Sequence, residues 1–314
     1  MAWKVLVTAP YMQPVIERFR PIFLQHDVEL IVPPVEERFE EEDLLQWISE
    51  VDGVICGDDR FTERVLKAAT KLKVLSKWGT GIDSIDQQAC KKLGIAVRNT
   101  PDAFSQPVAD SIMGYILCFA RNLLWMDQAM RKGIWKKIPG RSLSECVLGV
   151  IGVGNVGKAL VRRAVAHGMH VLGNDLVKMP KDFLEETSIE MTSKEELLGQ
   201  SDFVSLNCDL NPTSYHLMDE ARFDQMKETA IVINTARGPV VKEKALIQAL
   251  ENGKIGGAAL DVFEEEPLTD HSPLRKMDNV LLAPHNANSS PEAWERVHQT
   301  TIRNLLEELE KRSQ

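Results

Sequence analysis

The chain has 314 residues, and its 37 Lys and Arg against 46 Asp and Glu give a net charge of −9. That length exceeds a usual single α/β core and points to two lobes. The acidic balance and the lack of any basic block argue against a nucleic-acid or anionic-membrane partner and leave small-molecule chemistry.

Met1-Ala2-Trp3-Lys4-Val5-Leu6-Val7-Thr8 enters a strand at once, without the charged start and apolar core of a signal peptide, and no apolar run reaches membrane-spanning length. Cys56, Cys90, Cys118, Cys146 and Cys208 stand far apart, in or beside apolar runs and with no CxxC pair. They suit buried, reduced thiols rather than a disulfide frame or a metal site, so a reducing cytoplasm is expected and no metal is. The first hundred residues then alternate apolar runs, read as strands at 4–8, 28–32, 53–56, 73–77 and 95–98, with amphipathic segments. Such alternation predicts a parallel sheet covered on both faces. Thr62 is placed as the N-cap of a helix through Ala69, and Asp83 or Ser84 as that of a helix ending near Gly94. Residues 107–130, poor in Gly and Pro, predict one or two helices and a hinge between lobes.

The second lobe repeats the alternation, with strands at 147–151, 170–174, 203–207, 230–234, 256–260 and 280–283. The first ends in Gly152-Val153-Gly154-Asn155-Val156-Gly157, a helical stretch follows at 158–167, and Asp175 closes the next apolar run. This is strand, glycine turn, helix, strand, acid. The first glycine permits the tight turn, the second lets the backbone approach a pyrophosphate, and the third lets helix and strand pack closely. Asp175 is placed on the adenosine ribose hydroxyls, where an acid repels a 2′-phosphate and favours NAD over NADP. The fold class is therefore α/β, with two Rossmann-like lobes of doubly wound parallel sheet. A polar-faced helix is predicted over 291–311; periodicity does not say which lobe it joins.

Three polar residues fall just beyond strand ends, where ligands bind in such folds: Arg237, Glu266 and His285. Singly they read as a helix-flanking cation, part of an acidic loop and a turn histidine. Together they suit hydride transfer to a 2-oxo acid. Arg237 can grip a carboxylate through two parallel hydrogen bonds, and His285 can donate a proton while Glu266 orients its ring and favours the charged form. In the first lobe, Lys77-Trp78-Gly79-Thr80-Gly81-Ile82-Asp83 follows a strand, and its glycines could present amides to a carboxylate across an interlobe cleft. A purely structural turn is the other reading of that loop.

These residues resemble the D-isomer-specific 2-hydroxyacid dehydrogenase family almost end to end. The likeness is carried by the stretch from Lys77 to Asp86, Asn99-Thr100-Pro101, Gly152 to Gly157 with Asp175, Asn234-Thr235-Ala236-Arg237-Gly238, Ala259-Leu260-Asp261-Val262-Phe263, Glu266-Pro267 and Pro284-His285. The resemblance implies a catalytic triad of Arg237, Glu266 and His285, with the substrate's carboxylate held by Arg237 and the amides near Thr80 and Gly81; Lys77 is a further candidate substrate contact. It implies a discontinuous substrate lobe, residues 1–100 with 286–314, around an inserted NAD-binding lobe at 101–285. Cofactor contacts carry over to Gly152, Gly154, Asn155, Val156 and Gly157 at the pyrophosphate and Asp175 at the ribose. Cys208 falls beside the adenosine half, and Thr235, Ala236 and Asp261 toward the nicotinamide. A homodimer through the NAD-binding lobe is implied as well, with residues 121–137 resembling the pairing segment.

Several positions depart from the family pattern. Phosphoglycerate dehydrogenases tend to carry an arginine after the third strand, where this chain reads Cys56-Gly57-Asp58-Asp59-Arg60. Two readings stand: Lys77 and Arg60 replace that charge, or Asp58 and Asp59 repel a phosphate. The chain stops at Gln314, and the regulatory serine-binding domain of some relatives is expected to be absent. Asp209 stands where proline is common, and Asn286 where an apolar residue is. The expectation is an NAD-dependent oxidoreductase acting on a small D-2-hydroxy acid or its 2-oxo acid, with phosphoglycerate, glyoxylate or hydroxypyruvate, and D-lactate as candidates in that order. The alternative is an NAD-sensing, co-repressor-like binding protein. A methyl-donor enzyme using the glycine turn gives no account of Arg237, Glu266 and His285.

Overall fold

The computed structural model describes residues 2–312. The chain opens with β1 (Trp3–Val7), α1 (Ile16–Gln25), β2 (Val28–Ile31), α2 (Glu41–Leu45), β3 (Gly53–Cys56), α3 (Glu63–Ala68), β4 (Val74–Lys77), α4 (Gln87–Leu93) and β5 (Ala96–Arg98). Two consecutive helices follow, α5 (Ser105–Arg121) and α6 (Leu123–Arg131). The alternation resumes with β6 (Val147–Ile151), α7 (Asn155–Ala166), β7 (His170–Asn174), α8 (Lys181–Thr187), β8 (Glu190–Met191), α9 (Lys194–Gln200) and β9 (Phe203–Leu206). It ends with α10 (Glu220–Phe223), β10 (Ile231–Asn234), α11 (Glu243–Glu251), β11 (Gly257–Leu260), β12 (Val280–Leu282) and α12 (Pro291–Lys311).

The chain divides into two compact units, Met1–Phe104 with Ser290–Gln314 and Ser105–Ser289. The sequence reading placed the joins at residues 100 and 285. The first unit holds a parallel five-stranded sheet in the order β2-β1-β3-β4-β5. Strands β3 and β4 are buried along their whole length, as expected where helices cover both faces. Leu6, Val54, Cys56 and Leu75 form a core with Leu44, Leu66 and Cys90. The order reverses between β1 and β3, and in such sheets ligands bind beyond the carboxyl ends of the strands that flank the reversal.

The position of α12, open in the sequence, is settled by long-range contacts: the helix lies against β3, β4 and β5. The Ser76 hydroxyl donates to the Thr301 carbonyl at 2.8 Å, Trp78 Nε1 donates to His298 Nδ1 at 2.9 Å, and the Arg98 guanidinium holds Glu308. Burial pushes the His298 imidazole below its ordinary value, consistent with a neutral ring accepting from Trp78.

Thr62 caps α3 as expected, its hydroxyl accepting from the Val65 amide. The cap of α4 is a correction: it is Asp86, whose Oδ1 accepts from the Ala89 amide at 2.9 Å, rather than Asp83 or Ser84. Asp83 and Ser84 form a turn, Ile85 is then drawn into a bridge with Phe61, and the Asp86 amide donates to the Phe61 carbonyl, so the helix begins only after Asp86.

The second unit carries a seven-stranded parallel sheet in the order β12-β11-β10-β9-β6-β7-β8. The sequence reading found six of these strands. It missed β8, two exposed residues beside Leu172 and Gly173 of β7, too short to show a periodic pattern. Val204, Leu206, Val232, Ala258 and Leu260 face a core completed by Phe223, Leu246 and Leu274. The reversal of order here lies between β6 and β9, which places the glycine turn after β6 at the edge where ligands bind. All five cysteines are free, but Cys118 and Cys208 are only half-buried, against the expectation that all would be interior. Among the described residues no helix is long and apolar enough to cross a membrane.

Candidate active site

The turn from β6 into α7 has the three glycine environments that the motif requires. Gly152 has φ +90°, and a Cβ there would stand 2.7 Å from the Asn207 carbon and the Cys208 nitrogen. A Cβ on Gly157 would stand 2.2 Å from the Gly152 carbonyl oxygen, so helix and strand approach to the limit of their backbones. At Gly154 the space is open, with nothing within 4 Å, and Gly154 and Asn155 are exposed. The start of α7 has no side-chain cap and no acid in its first turn, so its positive end faces that open space. This arrangement fits a pyrophosphate.

Asp175 directly follows the neighbouring strand and does more than bind a ribose. Its Oδ2 accepts from the Val153 amide at 2.6 Å and its Oδ1 from the Val177 amide at 2.7 Å. The carboxylate therefore pins the glycine turn from within. Cys208 packs beside Gly152, and burial pushes its thiol up to about 11, which leaves it in the unreactive protonated form at neutral pH. The Thr235 hydroxyl is buried without a protein partner. Such an orphan is costly unless a ligand supplies the missing bond, and this supports a cofactor contact at Thr235.

Strands β10, β11 and β12 are neighbours in register, with Asn234 beside Leu260 and Leu260 beside Leu282, so the loops bearing Arg237, Glu266 and His285 leave one edge of one sheet. Buried Asn234 shapes the first loop: its Oδ1 accepts from the Ala236 amide at 3.1 Å and its Nδ2 donates to the Arg237 carbonyl at 2.9 Å. Arg237 Nη1 in turn donates to the Ala236 carbonyl at 2.8 Å. Gly238 lies so close to the next loop that a Cβ would stand 1.8 Å from the Phe263 carbonyl oxygen. The arginine loop and the glutamate loop are thus in backbone contact.

Glu266 uses both oxygens. Oε1 accepts from the Phe263 amide at 2.9 Å, fixing its own loop, and Oε2 lies 2.9 Å from His285 Nδ1. The sequence placed these two residues together by function; the structure places them within hydrogen-bond distance. His285 has φ +50°, an uncommon conformation for a residue with a side chain. Asp261 holds it there: its carbonyl accepts from the His285 amide at 2.8 Å, and its carboxylate from the amides of Asn286 at 2.8 Å and Ala287 at 2.9 Å. Burial raises the Asp261 carboxyl above the usual range, against the lowering effect of those two amides. The sequence reading gave Asp261 a cofactor role and missed this clamp, since nothing local in the sequence marks a contact to residues 25 and 26 positions on.

Two further residues were passed over. Asn234 had a signal, an amide closing an otherwise apolar strand. His216 had none, yet its Nε2 lies 2.6 Å from Glu264 Oε1 and ties another loop to the stretch that carries Glu266.

In the first unit, Lys77 ends β4 with its side chain only 4% exposed. Its ammonium donates to the Trp78 carbonyl at 3.1 Å and pairs with Asp58 Oδ1 at 3.1 Å. Gly79 takes φ +127°. Exposed Thr80 is held on both sides, its hydroxyl donating to the Thr100 carbonyl at 3.2 Å and its carbonyl accepting from Asn99 Nδ2 at 2.6 Å. Gly81 is half-buried beside it.

A glycine turn shaped for a pyrophosphate, and an imidazole–carboxylate pair beside an arginine loop on the same sheet, define a nucleotide-dependent oxidoreductase. The comparisons make the class specific: the family model for the D-isomer specific 2-hydroxyacid dehydrogenase, NAD binding domain, matches residues 113–287, and the chain belongs to that family. Its relatives include the glyoxylate reductase of Korarchaeum cryptofilum, 39% identical over 254 residues, which are 79% of this chain and 76% of that protein. The D-3-phosphoglycerate dehydrogenase of Methanocaldococcus jannaschii is 39% identical over 294 residues, 92% of this chain but 54% of that longer protein. Among solved structures, the D-lactate dehydrogenase of Aquifex aeolicus, complexed with NAD and lactic acid, superposes with a TM-score of 0.85 at 27% identity, covering 98% of each chain. Homologues are thus named as dehydrogenases and reductases of hydroxy acids, and this chain carries their NAD-binding domain.

Proposed function

We propose that this protein interconverts a small D-2-hydroxy acid and its 2-oxo acid with NAD. The observation that carries the reading is the 2.9 Å contact of Glu266 with His285 Nδ1, on the sheet edge that also bears Arg237 and in the unit that holds the glycine turn. When bound, the nicotinamide supplies hydride chemistry. His285 gives the proton through Nε2 in the reducing direction and takes it back in the other, because Glu266 on Nδ1 fixes the ring and favours the imidazolium. Arg237 holds the carboxylate and polarises the carbonyl, which its planar fork can do and an ammonium cannot. In the first unit, the amides of Thr80 and Gly81 take the substrate's carboxylate, and Lys77, paired with Asp58 at 3.1 Å, borders the group beyond its second carbon.

Gly152, Gly154, Asn155, Val156 and Gly157 hold the pyrophosphate, Asp175 the ribose, Cys208 borders the adenosine half, and Thr235, Ala236 and Asp261 serve the nicotinamide end. Asp175 and the apolar Leu176 and Val177 after it offer nothing to a 2′-phosphate, which supports NAD over NADP. The protein works as a homodimer through residues 121–137, a reading supported by Leu123, Leu124, Met130 and Ile134, all exposed, and by Trp135, which is 88% exposed. Its five free thiols suit a reducing cytoplasm.

The test is NADH oxidation by the purified protein against glyoxylate, hydroxypyruvate, pyruvate and longer 2-oxo acids, with the His285→Ala variant in parallel. A general acid contributes about 10²–10⁴ in rate, so the variant is expected to lose at least about tenfold in kcat while retaining NADH affinity. NADH binding without turnover above that variant would instead favour a sensor.

A further inference from the structure

The first unit has a crevice of its own, set by its strand order. Its sheet reverses between β1 and β3, and ligands of such sheets sit beyond the carboxyl ends of the two strands that flank the reversal. One side is the loop from Thr8 to Met12 and the other the loop from Gly57 to Phe61. They touch: a Cβ on Gly57 would stand 3.0 Å from Pro10 Cδ and 3.6 Å from Ala9 Cα. Lys77 ends the next strand, β4, and the Tyr11 ring lies 5.4 Å from that of Trp78.

The charges of this crevice cancel. Lys77 is buried against Asp58 at 3.1 Å, and Asp58 is the solvent-facing member of the pair, 42% exposed against 4%. Asp59 lies wholly inside, accepting from the Thr8 hydroxyl at 2.6 Å and the Gly57 amide at 2.9 Å. Arg60, the other nearby cation, stands 3.8 Å from Glu40, which also takes Arg38 at 2.7 Å. A bound phosphate needs cations that are not already neutralised. One brought to Lys77 here meets the Asp58 carboxylate first, a like-charge contact.

We propose that Asp58 is a specificity-determining residue that restricts this protein to unphosphorylated 2-oxo acids by neutralising Lys77. The inference rests on the dehydrogenase reading and narrows it. Relatives at equal identity are named for glyoxylate and for 3-phosphoglycerate, and the Asp58–Lys77 pair places this chain with the former. A hydrogen, methyl or hydroxymethyl group on the carbonyl carbon brings no charge to the crevice; a phosphate brings about two.

Hydroxypyruvate and 3-phosphohydroxypyruvate share one carbon skeleton and differ by the phosphate, so the ratio of their kcat/KM values isolates it. The wild-type protein should favour hydroxypyruvate by at least about tenfold, and Asp58→Asn should raise the relative use of the phosphorylated acid by about tenfold, mainly through KM. Adding Lys77→Met should abolish that gain. Equal use of both substrates by the wild-type protein, a gain below about threefold in Asp58→Asn, or a gain that survives Lys77→Met overturns the assignment. If neither substrate turns over, the dehydrogenase reading is decided separately by glyoxylate, pyruvate and the longer 2-oxo acids. Asp58 is then judged by calorimetric titration with 3-phosphoglycerate in the presence of NAD: binding tightened by about tenfold in Asp58→Asn supports the assignment, and a change below about threefold overturns it.

Discussion

Replacing Gly238 with alanine tests whether the arginine loop is positioned by the glutamate loop. The new Cβ would stand 1.8 Å from the Phe263 carbonyl oxygen and 1.9 Å from its carbon, and neither is a flexible side-chain end that can swing away. To reach the 3.0 Å below which real Cβ contacts essentially never fall, the two loops must part by about 1.2 Å. One loop carries Arg237, and the other carries Glu266 three residues after Phe263, so the opening displaces the carboxylate grip relative to the proton donor. A misplacement of about 1 Å costs on the order of 10²-fold in rate, and overpacking of this kind costs about 1–3 kcal/mol. In a unit of this size that corresponds to a fall in Tm of roughly 2–12 °C. The expected result is kcat/KM lowered by about two orders of magnitude, a modest loss of Tm, and an NADH affinity lowered far less than kcat/KM, because the glycine turn lies after β6 and only the Thr235 and Ala236 contacts lie on the displaced loop. Steady-state kinetics, calorimetric NADH titration and thermal melting read the three quantities. A kcat/KM within about threefold of wild type would refute the view that this contact sets the geometry of the site.

Two further outcomes follow from the same reasoning. Gly154→Ala meets no protein atom within 4 Å, so Tm should stay within about 1 °C of wild type while NADH affinity falls by at least about tenfold, since only the pyrophosphate contests that space; unchanged affinity would place the cofactor elsewhere. Asp59 is pushed up to about 6 from 3.8, chiefly by burial and against the bonds from Thr8, Phe39 and Gly57. Folding therefore favours its protonated form, and the stability this provides is full below about pH 4 and lost as pH rises through about 6, about 3 kcal/mol in all and nearly half of it between pH 5 and pH 7. Urea unfolding of wild type and Asp59→Asn across that range should show the difference between them shifting in the same sense, the wild type losing ground as pH rises, and a constant difference would show that Asp59 titrates normally.

Much of this protein is fixed by patterns a few residues long. The glycine turn follows an apolar run and precedes a helix because tight turning, phosphate approach and helix packing each require a glycine at a set spacing, and all three environments are found at Gly152, Gly154 and Gly157. The helix Pro291–Lys311 was legible to the residue from its periodicity, and Thr62 as a cap from its place before an amphipathic stretch. The residue types beyond the ends of β10, β11 and β12 were enough to bring Arg237, Glu266 and His285 together on chemical grounds.

Tertiary structure decided what depends on distant partners. An apolar stripe says that a helix is covered, but not by which sheet, and α12 is joined to the first sheet through Ser76 of β4, Trp78 just after it and Arg98 of β5. Asp83, Ser84 and Asp86 are all capable caps; Asp83 and Ser84 are taken up in a turn, and the bridge of Ile85 to Phe61 after it leaves Asp86 to start the helix. Asp261 supports the His285 turn, and Asp58 pairs with Lys77, through contacts between residues far apart in the sequence. A sequence lists a carboxylate's charge, but whether that charge meets an amide, an ammonium or the solvent depends on which loops the folded sheet brings to the same edge.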